Sequence, residues 1–167
     1  RFREGYNKLR VADIATKTAT WYAVGPAPAA VSDRTEGAAA WSPDGKSIAY
    51  WSDQSGEYEL WIRDMQNDSA RKLTNYGPGF RYALKWSPDS KKLAFIDKAM
   101  KIQVYDLSTG KTTDVDKGLR MMHGALANFS CSWSPDSKWL TYSRDLENYH
   151  TAVFLYDYTE KKLYQAT

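Results

Sequence analysis

The side chains that most often carry nucleophilic catalysis are scarce in this sequence. Its 167 residues include one cysteine, Cys131, and two histidines, His123 and His150. Both histidines fall in predicted loops, and the Gly-x-Ser-x-Gly pattern that frames a nucleophilic serine does not occur. A serine or cysteine needs an adjacent base to become a nucleophile. We therefore predict no catalytic residue, and we expect Cys131 to be a buried structural thiol on the same strand face as Trp133.

The acidic stretch most suggestive of a metal site is SDQSGEYE, residues 52–59, which contains Asp53, Glu57 and Glu59. A calcium loop gathers its oxygen ligands with D-x-[DN]-x-[DN]-G spacing, and this stretch lacks that spacing. The Ser-Gly pair at 55–56 is instead typical of a tight hairpin turn, with Asp53 bonding to nearby backbone. We predict no metal site and no cofactor.

A turn motif repeats three times along the chain. WSPDG occupies residues 41–45, and WSPDS occupies 86–90 and 133–137, so the tryptophans are 45 and 47 residues apart. After each motif come an apolar segment with an aromatic residue, a second apolar segment that ends in Asp, and a polar turn with one more strand signal. Four short strands repeated at about 45 residues are typical of β-propeller blades.

The sequence therefore predicts an all-β chain, a β-propeller fragment of about three and a half four-stranded antiparallel blades. The middle strands are apolar on both faces, as in residues 48–51, and stacked blades would cover both faces. An aspartate ends the third strand of every unit, which indicates a structural turn rather than several active sites. These aspartates are Asp13, Asp64, Asp106 and Asp157. The predicted strands are 8–14, 18–24, 37–41, 46–52, 58–64, 70–74, 82–86, 91–97, 101–107, 111–115, 129–133, 138–144, 151–158 and 161–166.

The repeat also predicts the domain organisation. Residues 1–24 correspond to the last two strands of a preceding blade, and three complete blades follow at about 38–76, 77–118 and 119–167. The segment 25–37, which contains Pro and Gly, links the two parts. It is longer than a tight loop between blades, so it either connects two blades or separates two propellers.

An arc of three and a half blades leaves two blade faces uncovered. We expect the chain to be part of a longer polypeptide whose remainder covers them. The alternative is a second copy, because two such arcs would sum to seven blades.

The charge pattern indicates that nucleic acid is not a partner. The net charge is +3, and the basic residues are scattered, with no cluster longer than two. No apolar run approaches the about 20 residues of a membrane-spanning helix. We expect no membrane contact and a cytoplasmic location, with the periplasm as the alternative.

The repeated units resemble a known group of propeller blades. WSPDGKSIAYWSDQSGEYELWIRD, residues 41–64, is similar to blades of TolB and of the tricorn protease family, and the resemblance continues through 83–112 and 132–162. It covers nearly the whole chain. Tricorn-like proteins are the nearer match, although Ser90 and Ser137 stand where the pattern prefers Gly.

The resemblance implies a role in proteolysis. Tricorn-like proteins are large oligomeric serine peptidases that cut short peptides, and none of their catalytic residues maps onto this sequence. The segment would then be a non-catalytic scaffold and size-selective channel for peptides. Its partners would be the remainder of the parent polypeptide, peptides and further copies of the parent. The alternatives are a TolB-like propeller that binds other proteins and the propeller cap of a prolyl-oligopeptidase-type enzyme.

A peptide channel would need side chains that hold peptides. Arginine suits a peptide carboxylate because its donors are paired in one plane. We predict peptide contacts from Arg81, Arg120 and His123, with Arg144 as a further candidate. The alternative for all four is a solvated position at a strand end or in a loop.

Overall fold

The computed structural model describes residues 9–22, 36–118 and 129–167, and these residues form fourteen β-strands. Each observed strand begins and ends within two residues of its predicted bounds. The described part of the chain contains no helix, and hence none long and apolar enough to cross a membrane. The strands are β1 Leu9–Asp13, β2 Thr18–Tyr22, β3 Glu36–Trp41, β4 Ser47–Ser52, β5 Glu59–Asp64, β6 Ser69–Lys72, β7 Arg81–Trp86, β8 Lys92–Asp97, β9 Lys101–Asp106, β10 Lys111–Lys117, β11 Cys131–Trp133, β12 Trp139–Asp145, β13 Thr151–Asp157 and β14 Lys162–Gln165.

The strands form three four-stranded sheets and one two-stranded sheet, all antiparallel. β1 pairs with β2, and the complete sheets have the orders β3-β4-β5-β6, β7-β8-β9-β10 and β11-β12-β13-β14. Because consecutive strands pair in sequence order, each sheet is a meander, which is the topology of a propeller blade. The predicted all-β class and the count of about three and a half blades are confirmed.

The first complete blade is covered on both faces. Alternation along β4 directs Ile48 and Tyr50 to one face, where they pack with Val11 of β1. It directs Ala49 and Trp51 to the other face, where they pack against the second blade. Apolar residues at consecutive positions of one strand therefore meet two different neighbours, as the sequence predicts.

The second blade lies between two complete neighbours. Leu93 and Phe95 of β8 face the first blade, and the rings of Phe95 and Trp51 meet edge to face with centroids 5.0 Å apart. Ala94 and Ile96 face the third blade. Burying one such large apolar side chain contributes about 1.5–3 kcal/mol, so the blade stack is the main source of stability.

The third blade is covered on one face by the described residues. Leu140 and Tyr142 of β12 are buried against the second blade. Thr141 is half-buried and Ser143 is exposed on the opposite face. One end of the arc therefore presents the outward face of a sheet.

The predicted domain boundaries involve segments that the structure does not describe. Residues 25–35 of the linker and 119–128 at the start of the third predicted blade lie outside the described residues. The boundaries at 1–24, 25–37 and 38–167 therefore stay a prediction.

Candidate functional site

The WSPD motif forms a closed turn at one rim of each blade. In the first blade the N–H of Gly45 donates to the carbonyl of Ser42 at 2.9 Å, and Gly45 has a φ of 71°. Ser42 Oγ donates to Asp44 Oδ1 at 2.5 Å and accepts from the N–H of Ser47 at 2.9 Å. The same bonds recur in the other two blades. The motif therefore joins the first strand of a blade to the second and fixes their register.

Serine replaces the turn glycine in the second and third blades and makes a bond between blades. Ser90 and Ser137 have φ values of 57° and 61°, a region that costs a residue with a Cβ about 1–2 kcal/mol. Ser90 Oγ accepts from the N–H of Asp44 at 3.1 Å, and Ser137 Oγ accepts from the N–H of Asp89 at 3.0 Å. Each hydroxyl thus binds the preceding blade, a contact that glycine cannot make.

The tryptophan of the motif makes a second bond between blades. Trp86 Nε1 donates to the carbonyl of Ala40 at 2.9 Å, and Trp133 Nε1 donates to the carbonyl of Lys85 at 3.1 Å. Each acceptor directly precedes the tryptophan of the preceding blade. Trp41 stands at the same position in the first blade, but it is 49% exposed, against 9% for Trp86. The repeated tryptophan therefore serves the assembly of blades.

The recurring aspartates close turns, as predicted. In each, Oδ1 accepts from the N–H of the second following residue at 2.7–2.8 Å and of the third at 2.9–3.3 Å. At Asp13 these backbone hydrogen bonds lower the pKa of the carboxyl below its usual value. The four residues are Asp13, Asp64, Asp106 and Asp157.

Arg81, one of the predicted peptide contacts, lies at the rim opposite the WSPD turns. Its Nη1 donates to the carbonyls of Tyr58, Gly79 and Gly77 at 2.6, 3.0 and 3.3 Å. Its Cζ lies 4.6 Å from the centroid of the Tyr76 ring, a cation–π distance. Arg81 therefore holds the loop that precedes β7, and its contact with a peptide stays a prediction.

A buried carboxylate braces the same loop from the other side. Glu59 is 1% exposed. Its Oε2 accepts from Thr74 Oγ1 at 2.6 Å, and its Oε1 accepts from the N–H of Gly77 at 2.9 Å. A buried carboxylate is costly without such partners. Gly77 thus gives its N–H to Glu59 and its carbonyl to Arg81, and the two side chains fix the backbone on both sides of the Gly77 Cα.

The braced loop presents an aromatic side chain to solvent. Phe80 is 53% exposed, and its ring centroid lies 5.6 Å from that of Tyr58. Its carbonyl accepts from the N–H of Lys98 at 3.0 Å, which ties the loop to the second blade. The rim therefore carries a preformed aromatic surface next to Arg81, and the sequence reasoning missed it.

Arg144, the further candidate, belongs to a contact between blades. Its Nε lies 2.6 Å from Asp116 Oδ2, which also accepts from the hydroxyl of Tyr142 at 2.8 Å. Burial, and then the bond to Asp116, raise the pKa of Tyr142. Asp116 lies on the second blade and the other two residues on the third. This charged group therefore helps to hold two blades together.

The acidic stretch 52–59 forms a hairpin turn between β4 and β5. The turn at 55–56 is closed by the N–H of Gly56, which donates to the carbonyl of Asp53 at 2.8 Å, so the predicted hairpin is confirmed. Within the described ranges, no group of three or more His, Cys, Asp or Glu residues is placed to hold a metal ion.

Cys131 and His150, the remaining candidates that the structure describes, make no hydrogen bond to each other. Cys131 is 8% exposed and packs in one cluster with Trp133, as expected for a structural thiol. Burial raises the pKa of its thiol to about 12, so the thiol stays protonated at neutral pH. His150 is exposed in a hairpin loop. Arg120 and His123 lie outside the described residues, and their contacts stay predictions.

Comparison with known proteins places this fold in a family. A sequence profile of the TolB β-propeller domain matches residues 1–166. The chain belongs to this family. This TolB-like chain is 41% identical over 54 residues to the "Uncharacterized peptidase YuxL" of Bacillus subtilis (strain 168), a match that covers 32% of this chain and 8% of that protein.

Solved structures share the fold at low sequence identity. TolB from Acinetobacter baumannii matches with a TM-score of 0.67 and 22% identity over 96% of this chain and 37% of that one. The tricorn protease matches with a TM-score of 0.62 and 16% identity over 96% of this chain and 20% of that one. The TolB-like part of the predicted resemblance is confirmed, and the chain spans well under half the length of these relatives.

Proposed function

We propose that this TolB-like segment is a non-catalytic scaffold of a tricorn-like serine peptidase, and that it guides peptides through a channel of limited width. The observation that carries the proposal is how the repeat uses its polar side chains. In the part of the chain that the structure describes, the serines and aspartates of the repeat close turns, and the tryptophans of the second and third blades join each blade to the one before it. The local likeness to a peptidase and the structural likeness to the tricorn protease support the same role.

The contacts between blades suit a channel wall. Trp86 and Trp133 lie on β7 and β11, the first strands of their sheets, and each binds the first strand of the blade before it. In a propeller these first strands surround the central channel. The two indole bonds therefore fix the spacing of the strands that would border the channel, and fixed spacing limits the width of what passes.

Two assays of the purified chain test this role. Fluorogenic peptides should not be turned over, because the buried thiol of Cys131 stays protonated and no other described residue is an activated nucleophile. A labelled disulfide-bonded domain should bind only after reduction has unfolded it, with the oxidised form as the matched control. Peptide turnover that survives repurification and the change Cys131→Ser would contradict the scaffold, and equal binding of both forms would contradict size selection.

One observation favours a second function, a propeller that binds folded proteins. Phe80 is 53% exposed on a loop braced by Glu59 and Arg81, and such a rigid aromatic surface suits docking onto a folded partner. The same binding assay separates the two functions. Binding of the oxidised form that is lost in Phe80→Ala would select protein docking over the peptide channel.

A further inference from the structure

The WSPD turn of the first blade differs from the other two turns by one reactive pair of residues. Asp44 is followed by Gly45, whereas the equivalent aspartates, Asp89 and Asp136, are followed by serine. The sequence contains no other Asp-Gly pair and no Asn-Gly pair. In such a pair the backbone nitrogen of the glycine can attack the side-chain carboxyl carbon, because glycine has no Cβ to hinder the approach. The first blade therefore carries a reactive group that the other two turns lack.

The reaction open to this pair is an isomerisation that needs only water. The nitrogen of Gly45 forms a bond to Cγ of Asp44 and loses its proton to solvent, and the hydroxyl of the protonated carboxyl group leaves with a solvent proton as water. Water then adds to the main-chain carbonyl carbon of Asp44 in the cyclic imide, and the bond from that carbon to the nitrogen of Gly45 breaks. The product is isoaspartate, in which the chain runs through Cγ and is one carbon longer.

Hydrogen bonds hold both reacting groups in the folded chain. The N–H of Gly45 donates to the carbonyl of Ser42 at 2.9 Å, and the attack, which removes this proton, would break the bond. Asp44 Oδ1 accepts from Ser42 Oγ at 2.5 Å and from the N–H of Lys46 at 3.1 Å. These two bonds, that from Ser42 first, lower the pKa of the Asp44 carboxyl, so less of the protonated form that can lose water is present. The turn therefore opposes imide formation at the nitrogen and at the carboxyl group.

The second blade adds a further restraint on the same turn. Ser90 Oγ accepts from the N–H of Asp44 at 3.1 Å. Burial contributes little here, because Asp44 and Gly45 are both exposed and a Cβ added at Gly45 would meet no atom within 4 Å. Solvent water therefore reaches the pair, and hydrogen bonds rather than packing must restrain the reaction.

We propose that the Asp44-Gly45 pair is a site of spontaneous isoaspartate formation, and that the hydrogen bonds of its own turn and of Ser90 suppress the reaction in the folded chain. The added carbon would lie inside the turn that sets Trp41 opposite Ile48, so the modified turn could not close with the same hydrogen bonds. Modification would therefore weaken the pairing of β3 with β4. The inference is independent of the proposed role in proteolysis.

Peptide mapping by mass spectrometry measures isoaspartate after incubation of the purified chain at mildly acidic pH, in buffer and in guanidinium chloride. In denaturant Asp44 should convert several-fold faster than Asp89 and Asp136. Folding should slow Asp44 by about tenfold or more, because the hydrogen bonds of the turn must first open. Gly45→Ser copies the other two turns and fits the open space, so in denaturant it should reduce conversion at Asp44 to the rate of Asp89.

Three variants test the restraint in the folded chain. Ser42→Ala deletes the bond to the Asp44 carboxyl and should raise conversion at Asp44 by about two- to tenfold. Ser87→Ala deletes the equivalent bond in the second blade and is the matched control, which should not raise conversion at Asp44. Ser90→Ala leaves the first turn itself intact and should raise conversion at Asp44 but not at Asp89.

Three outcomes would overturn the inference. If Asp44 converts as fast in the folded chain as in denaturant, the turn does not protect it. If Asp44, Asp89 and Asp136 convert equally in denaturant, the glycine does not create a reactive site. If Ser42→Ala and Ser87→Ala change conversion at Asp44 equally, a general loss of stability controls the reaction and the hydrogen bonds of the first turn do not.

Discussion

Ser90 and Ser137 stabilise the contact between blades although their own backbone conformation is unfavourable. Both stand in left-handed backbone conformations that glycine adopts more easily, and both use a hydroxyl to hold the preceding blade. The replacement of glycine by serine at the end of the WSPDG pattern therefore adds a hydrogen bond between blades. Serines and aspartates of the repeat, which in the sequence could suggest catalysis or binding, instead make hydrogen bonds that close turns or join blades.

The change Ser90→Ala tests this contact, because it removes the hydroxyl and keeps the Cβ. We expect the free energy of unfolding to fall by about 0.5–1.5 kcal/mol. Amide exchange at Asp44 should accelerate, since its partner is lost. Asp89, which donates to Ser137, is the internal control. An equal response of the two amides would show that the bond does not join the blades.

Burial of the Cys131 thiol makes the free energy of unfolding depend on pH. Its pKa is raised from 9.0 in the unfolded chain to about 12 in the folded protein, so the unfolded state loses this proton first. The contribution is complete below about pH 9 and is lost as the pH rises toward 12. When the pH is raised from about 8 to about 10, the free energy of unfolding should fall by about 1 kcal/mol more in the original chain than in Cys131→Ala. Urea unfolding of both proteins at the two pH values measures this difference. Equal losses would mean that the thiol is not buried.

At the scale of elements, the loop from β6 to β7 is held by charged side chains rather than by apolar packing alone. Glu59 binds the N–H of Gly77 and Arg81 binds its carbonyl. Both side chains are therefore committed to the backbone of Gly77. This commitment explains how an exposed Phe80 can sit on a loop of fixed shape.

Glu59→Gln tests the brace, because a glutamine side chain offers one acceptor oxygen to two donors. We expect the free energy of unfolding to fall by about 1–3 kcal/mol. Glu57→Gln, two residues earlier and exposed, should change it by less than about 0.5 kcal/mol. Urea denaturation of both variants gives the comparison, and similar small losses would refute a bracing role for Glu59.

The hydrogen bonds that tryptophan indoles make between the first strands of neighbouring blades can be tested with a matched pair of variants. Trp86→Phe keeps an aromatic ring but deletes the donor to Ala40, so we expect a loss of about 1–3 kcal/mol in thermal or urea unfolding. Trp41→Phe should cost much less, because Trp41 is 49% exposed. If both changes cost the same, the repeated tryptophan contributes only local packing.

At the scale of the whole molecule, most of the fold could be predicted from the sequence and the contacts between blades could not. The WSPD spacing and the strand-ending aspartates are local signals, and they predicted the strands and turns. The partners of Ser90, Trp86 and Glu59 are set by how sheets stack, and no local spacing encodes that. In the sequence Glu59 looks like Glu57, yet one is buried and the other exposed.

The central claim is that the repeated motif holds successive blades together. Amide exchange of the unmodified chain tests it most directly, at the three aspartates that each follow Trp-Ser-Pro in a WSPD turn. The account predicts slow exchange at Asp44 and Asp89, which donate to serines of the next blade, and fast exchange at Asp136, which has no such partner among the described residues. Equal exchange at all three would contradict it.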